Sequence, residues 1–198
     1  MCARRSWSCA AARPRASRLR SRCGRAAGTR PVAPNLLTPR PMPPPVILDL
    51  STLDFSRPLA DREEIQRINP QRDEFALLDA IVYVDESSRI FVGYHDVRAD
   101  AWWARGHIPG RPLFPGVLMI EVAAQLASYM SLRYLGGHGF LGFVGADGVK
   151  FRGAISPPAR FVVVGRALEM RKRRTICETQ GFVDNAMVFE AVITGMFM

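Results

Sequence analysis

The chain has 198 residues, 48% of them hydrophobic, which is enough for one globular domain with a sizeable core, with or without an appendage. Its formal net charge of +9 is unevenly placed, because residues 1–45 contain ten arginines and no acidic residue, whereas residues 46–198 contain 17 basic and 18 acidic residues. The main part of the chain is thus close to neutral, which does not support a protein-wide basic face for nucleic acid.

The first 45 residues are predicted to be an N-terminal extension, separate from a domain at residues 46–198. They are rich in Arg, Ala, Pro and Ser and end in a proline-rich extended linker. This acid-poor composition is typical of an organelle transit peptide or of a short basic arm for RNA or DNA. The preferred interpretation is a disordered tail, or translated upstream DNA with Met42 as the true start, because the arginine bias of the whole chain indicates a GC-rich genome.

Cysteine usage and hydropathy indicate a protein of the cytoplasm. Cys177 is the only cysteine of residues 46–198, so no disulfide framework is expected and a reducing compartment fits best. No apolar run approaches the roughly 18 residues of a membrane span, and the extension lacks the apolar stretch of a secretory signal. We therefore expect no contact with a membrane.

The first predicted elements are a short helix and a β-hairpin. Asp61-Arg-Glu-Glu64 has the spacing of a capping box, which predicts a helix to about Arg67, ended by Asn69-Pro70. Two β-rich runs follow at residues 75–84 and 89–97, joined by the polar turn 85–88.

The rest of the chain predicts one long buried helix followed by four strands. Pro115 and Gly116 suit the first turn of a helix, which runs to about Leu135 and is apolar on nearly all sides. Four β-rich runs, at residues 140–151, 160–170, 174–183 and 187–198, predict a four-stranded meander. The predicted fold class is therefore α+β, with a long central helix wrapped by a curved antiparallel sheet.

The segment HIPGRPLFPGVLMIEVAAQ, residues 107–125, contains the candidate chemistry. It places Glu121 in an otherwise apolar helix, where an unpaired carboxylate is costly to bury. Elimination of water across two adjacent carbons needs a base for a weak C–H acid and an acid for a poor leaving group. His107 and Glu121 supply two titratable side chains of the required types.

This segment closely resembles the 3-hydroxyacyl-acyl-carrier-protein dehydratases of the FabZ type, whose pattern reads H-F-P-G-x-P-x-M-P-G-V-L-x-x-E-x-x-A-Q. The resemblance implies a hot-dog fold and an active site at the interface of a homodimer, either alone or as part of a trimer of dimers. It implies dehydration of (3R)-3-hydroxyacyl thioesters to trans-2-enoyl thioesters in fatty-acid biosynthesis, on acyl carrier protein or coenzyme A, with no metal or redox cofactor. The matching positions are His107, Pro109, Gly110, Pro112, Pro115, Gly116, Val117, Leu118, Glu121, Ala124 and Gln125.

By the same resemblance, His107 removes the proton next to the thioester carbonyl, and Glu121 of the other subunit assists departure of the 3-hydroxyl group as water. Gly116 and Val117 are expected to bind the thioester oxygen through free amides at the helix N-terminus. Gln125, one turn after Glu121, is expected to contribute to the substrate site by orienting the carboxylate. A helix glutamine that satisfies a backbone group is an equally good interpretation of Gln125.

Two other functions stay open: a hot-dog thioesterase, in which a carboxylate activates water, and a non-catalytic protein that binds acyl thioesters. His95 and His138 have no metal-ligand spacing and are interpreted as ordinary polar residues. Residues 137–142 match the dinucleotide-binding pattern G-x-G-x-x-G, but they follow a helix and enter a strand, the reverse of what that site requires. The basic turn 171–174 is either solvated or a docking site for an acidic carrier protein or a coenzyme phosphate.

Overall fold

A computed structural model of the protein describes residues 44–136 and 140–198. The elements are three α-helices, two short 3-10 helices and one six-stranded sheet. The α-helices are α1 (Arg62–Ile68), α2 (Ala104–His107) and α3 (Gly116–Leu135), and the 3-10 helices are Leu50–Thr52 and Asp73–Phe75. The strands are β1 (Ala80–Asp85), β2 (Ile90–Val97), β3 (Leu141–Phe151), β4 (Ala159–Met170), β5 (Arg174–Val183) and β6 (Ala186–Phe197).

The two predicted helices are confirmed, with their expected ends. The carboxylate of Asp61 accepts a hydrogen bond from the Glu64 amide at 2.9 Å, which caps α1. Helix α3 starts after Pro115 and ends at Gly136, whose φ of 56° is the left-handed conformation that glycine adopts easily.

All six predicted strands are present, but their pairing differs from the predicted meander. The sheet order is β1-β2-β4-β5-β6-β3, and every neighbouring pair is antiparallel. Strands β4, β5 and β6 form a meander, whereas β3 pairs with β6 instead of β4. In the link after β3, the amides of Arg152 and Gly153 donate to the carbonyl of Val188 in β6, so the chain stays bonded to β6 and does not turn back in a tight hairpin with β4.

Helix α3 lies against the inner face of this sheet, which confirms the expected fold class. The main core is made of its buried residues and of aromatic rings from β2, β4 and β6. The rings of Phe91 and Phe161 occupy the space above two sheet residues that have no side chain, Gly165 and Gly181. A Cβ atom at Gly165 would overlap Phe91, and one at Gly181 would overlap Phe161.

The outer face of the sheet is covered by a segment that the sequence patterns did not predict. Residues 47–55 pack on a second apolar cluster that includes Val92, Val164 and Phe182. Gln180 of β5 fixes this segment, because its side-chain oxygen accepts from the Ile47 amide and its amide donates to the carbonyl of Pro45, both at 2.9 Å. We call residues 44–55 the outer strap.

Some predictions concern residues outside those described. These are the extension up to residue 43, His138, and the glycine-rich stretch at residues 137–139. Among the described helices, none combines the length and the apolar character needed to cross a membrane.

Candidate active site

His107 is the last residue of the short helix α2, which the sequence patterns did not predict. Its amide donates to the carbonyl of Trp103 at 2.9 Å, which closes a single helical turn. Trp103 is only 3% exposed, so the turn is anchored by a buried ring. The imidazole of His107 lies in a continuous exposed stretch, residues 105–112.

Glu121 lies on α3, on the strip of that helix that other structure covers least. Val117 is 70% exposed, and Ile120, Glu121 and Ala124 are partly buried, although most of the helix is fully buried. The predicted enclosure of the carboxylate is therefore incomplete within one chain.

Gln125 is the partner of Glu121. It is 1% exposed, and its amide nitrogen donates to Oε1 of Glu121 at 2.8 Å and to the carbonyl of Phe75 at 2.6 Å. Its oxygen accepts from the amides of Leu77 and Leu78, both at 3.0 Å. Both donors and both lone pairs of the amide group are thus in use.

The same contacts explain one error in the predicted strands. Residues 75–79 were expected to open β1, but that strand begins at Ala80. The amides of Leu77 and Leu78 bond to the Gln125 side chain and so are not available for a strand partner. The backbone is irregular here because it wraps around the glutamine that holds Glu121.

The N-terminus of α3 presents Gly116 and Val117 at its first turn. The amides of Leu118 and Met119 donate to the Pro115 carbonyl, and the two amides before them precede the first intrahelical bonds. The ring of Phe151 lies over this turn, and a Cβ atom on Gly116 would come within 2.9 Å of it. Glycine at position 116 therefore permits the Phe151 ring to lie close to the helix N-terminus.

A cavity of about 120 Å³ opens beside Glu121, between α3 and the paired strands β3 and β6. Ser128 lies on the wall of this cavity, two turns after Glu121. The helical period places Glu121, Ala124 and Ser128 on one face of α3, so the sequence pattern could have identified Ser128 as a residue of the site. The lining is mostly apolar or small: Gln71, Glu121, Ala124, Ala127, Ser128, Phe140, Leu141, Gly142, Phe143, Thr175, Ile193, Thr194 and Gly195.

His107 does not line this cavity, so one chain does not bring the two candidate catalytic side chains together in it. The cavity lies beside β3, an edge strand that pairs only with β6 among the described strands. Phe143, Val144 and Phe151 of this strand are each more than half exposed. These large apolar side chains form an exposed apolar surface along the edge of the sheet.

A larger cavity, of about 770 Å³, lies elsewhere, between α1, the start of β1 and residues 96–103. Asp79 and His95 meet in its wall, with Nδ1 of His95 3.0 Å from Oδ2 of Asp79. Burial alone would raise the pKa of Asp79. Hydrogen bonds from His95, Arg62 and the Asp96 amide outweigh burial and hold that pKa below its ordinary value. The sequence patterns gave no sign of this pair.

The basic turn at residues 171–174 joins β4 to β5. Arg174 donates to Glu169 at 2.9 and 3.0 Å, so its charge is balanced locally. Lys172 and Arg173 are exposed, and the Arg173 carbonyl accepts from the Phe197 amide at 3.1 Å. Thr175, the next residue, lines the cavity beside Glu121, so the turn lies close to that cavity.

Comparison with known proteins gives a consistent result. A family model described as a FabA-like domain matches residues 69–192. The 3-hydroxyacyl-[acyl-carrier-protein] dehydratase FabZ of Campylobacter concisus is 29% identical over 147 residues, covering 71% of this chain and 99% of that protein. The FabZ protein of Hydrogenobaculum sp. is 31% identical over 133 residues, covering 66% and 89%.

Solved structures with the same fold include a dehydratase heterocomplex, ApeI:P, from Xenorhabdus doucetiae, with a TM-score of 0.59 and 14% identity over 68% of this chain and 90% of that one. A mutant thioesterase from Pseudomonas aeruginosa aligns with a TM-score of 0.53 and 16% identity, over 71% and 95%. At these identities the likeness establishes the hot-dog fold alone.

Proposed function

The chain belongs to the FabA-like family, and we propose that it dehydrates 3-hydroxyacyl thioesters carried by acyl carrier protein, in fatty-acid biosynthesis, with His107 and Glu121 as the catalytic pair. The observation that supports the activity best is the match of residues 69–192 to the FabA-like domain, together with a FabZ relative aligned over nearly its full length. The proposed residues are those that the sequence pattern of residues 107–125 selects.

In the proposed reaction, neutral His107 takes the proton from the carbon next to the thioester carbonyl. The electron pair of that C–H bond forms the new double bond, and the bond from the neighbouring carbon to the hydroxyl oxygen breaks. Glu121 gives its proton to this oxygen, and water leaves. The amides of Gly116 and Val117, at the positive end of α3, stabilise negative charge on the thioester oxygen while it develops.

Gln125 is assigned a positioning role, since its four hydrogen bonds leave no donor or acceptor for a substrate. The Gln125 amide donates to Oε1 of Glu121. A proton on Glu121 therefore resides on Oε2, the oxygen that stays free for the leaving group. The other three bonds tie the carboxylate to residues 75–78 and so fix its direction.

We propose further that the site is completed by a second copy of the chain. Three observations support a homodimer: His107 lies outside the cavity beside Glu121, residues 105–112 are all exposed, and the apolar edge of β3 borders that cavity. In such a dimer His107 of one subunit faces Glu121 of the other.

Turnover of a 3-hydroxyacyl thioester, followed by the absorbance of the enoyl product, tests the activity. We expect His107→Ala and Glu121→Gln each to lower kcat by about 100-fold or more, the usual contribution of a general acid or base. A thiol-detecting reagent in the same reaction distinguishes hydrolysis of the thioester, the rival activity. Release of thiol without enoyl product would refute dehydration, and full activity in either variant would refute that residue's role.

Mixing the two inactive variants tests the shared site. If subunits exchange freely, half of the dimers are mixed, and each contains one site with both native residues, so about a quarter of the wild-type activity should return. Refolding the variants together and separately provides the comparison. A site built within one chain would give no recovery.

The carrier is tested at the basic turn. An acidic carrier protein would be attracted by the exposed charges of Lys172 and Arg173, in the turn that precedes Thr175 of the cavity wall. Arg173→Glu should raise KM for the carrier-linked substrate, while KM for the same acyl group on a short thiol stays constant. Arg57→Glu, which changes another exposed arginine, is the control for net charge.

The single cysteine of residues 46–198 supports our placement of the enzyme in the cytoplasm.

A further inference from the structure

Phe114 connects the two segments that contain the proposed catalytic groups. It is 3% exposed, directly precedes the Pro115 cap of α3, and its amide donates to the Ile155 carbonyl at 2.8 Å. Trp103, the cap residue of α2, packs edge-on against it with ring centroids 5.5 Å apart. The Phe114 ring therefore contacts Trp103, the first residue of the turn that ends in His107. Phe114 also stands immediately before the cap of the helix that contains Glu121.

His95 supports Phe114 from the sheet. It lies in β2, with its ring centroid 5.3 Å from that of Phe114 and an angle of 32° between the planes. Nδ1 of His95 is 3.0 Å from Oδ2 of Asp79, and an ionised carboxylate only accepts, so Nδ1 is the protonated nitrogen. Asp79 is itself fixed by Arg62, at 2.6 Å, and by the Asp96 amide, at 2.8 Å.

The two ring nitrogens of His95 have different surroundings. The side chain is 9% exposed, and within the described residues Nε2 has no hydrogen-bond partner. An unpartnered buried nitrogen costs free energy that an apolar residue would avoid. The gain that offsets this cost is the bond to Asp79, which holds the ring in one orientation against Phe114.

We infer that His95 is a positioning residue of the dehydration site: Asp79 aims its ring at Phe114, and Phe114 holds the His107 turn beside the N-terminus of α3. This inference rests on the proposed function. The effect on rate arises only through the placement of His107, because His95 lies in β2 and does not line the cavity beside Glu121.

Two substitutions separate the ring from the hydrogen bond. His95→Asn keeps a donor near the position of Nδ1 but removes the ring, whereas His95→Phe keeps the ring and removes the donor. Because a small displacement of a catalytic group costs one to two orders of magnitude in rate, we expect about a tenfold lower kcat for His95→Asn. KM should stay within about twofold of wild type, and His95→Phe should recover a substantial part of kcat.

Val92→Ala is the matched control, since Val92 is fully buried in the same strand but faces the outer cluster. It should lower the unfolding temperature with kcat unchanged. The inference is overturned if His95→Asn retains wild-type kcat, if Val92→Ala loses as much, or if His95→Phe is no better than His95→Asn. Absence of turnover in the wild-type protein would instead refute the proposed function, and this inference with it.

Discussion

At the scale of single residues, the sequence pattern selects His107 and Glu121, but not the contacts that would make them effective. A histidine before a Pro-Gly turn and a glutamate in an apolar helix can be seen in the sequence because they break a local pattern. The backbone partners of Gln125 cannot, since Phe75, Leu77 and Leu78 lie some 50 positions earlier in the chain, in contrast to Glu121, which is four positions away. Only the folded backbone brings them within 3 Å.

Removal of the Gln125 side-chain amide should therefore be costly. In Gln125→Leu, the amides of Leu77 and Leu78 and the carbonyl of Phe75 lose their partner inside the protein. At about 1–3 kcal/mol for each buried unsatisfied group, we expect the free energy of unfolding to fall by at least about 3 kcal/mol. Urea unfolding measures this. The control is Gln66→Leu on α1, where the side chain is partly exposed and a change within about 0.5 kcal/mol is expected.

The lowered pKa of Asp79 gives a pH dependence of stability. Its carboxylate is favoured in the folded protein by His95, Arg62 and a backbone amide. Since the pKa is lower when folded, the stabilisation is complete above the unfolded value, near 4, and is lost as the pH falls through the folded value. Between pH 6 and pH 3 the wild type should lose more stability than Asp79→Asn, as measured by urea unfolding. Parallel curves would contradict this account of the pair.

At the scale of elements, the sequence patterns predicted those features that depend only on residues close together in the chain. The cap at Asp61, the Pro-Gly start of α3 and the β-rich composition of the strands all act within a few residues, and the structure agrees with them. The partner of β3 is decided by the whole sheet, because a β-rich run pairs equally well with either neighbour until the core is assembled. The outer strap was missed for the same reason. Its apolar residues follow neither a helical nor a strand period, and their burial depends on contact with the folded sheet.

The sheet glycines offer a test of packing at this scale. In Gly165→Ala the new methyl group would overlap the ring of Phe91, which is fully buried and cannot move aside. We expect a loss of about 1–3 kcal/mol in unfolding free energy, the usual cost of overpacking. Gly106→Ala on α2, with open space at its Cβ, should be neutral or slightly stabilising. Thermal unfolding of the pair checks both expectations, and equal losses would contradict the packing argument.

At the scale of the whole molecule, the exposed edge of β3 is the surface that the proposed dimer must cover. Phe143 is 54% exposed and lines the cavity beside Glu121, so a charge there should disrupt both assembly and the site. We expect Phe143→Asp to reduce the mass measured by light scattering from dimer to monomer, and to abolish turnover. Leu168→Asp is the control, because Leu168 is 51% exposed on β4, away from that edge. A dimeric, active Phe143→Asp protein would exclude this edge as the interface.

The place of β6 in the sheet has a consequence for how the molecule is made. It follows all the other described strands in sequence order, yet it lies between β5 and β3 and completes the wall of the cavity beside Glu121. During synthesis β3 is made well before β6, its neighbour among the described strands, so the edge that contains Phe143 and Phe151 stays unpaired until β6 has been made. Because β3 and β6 pair over a long sequence separation, we expect this edge of the sheet to form later in folding than the local helices do.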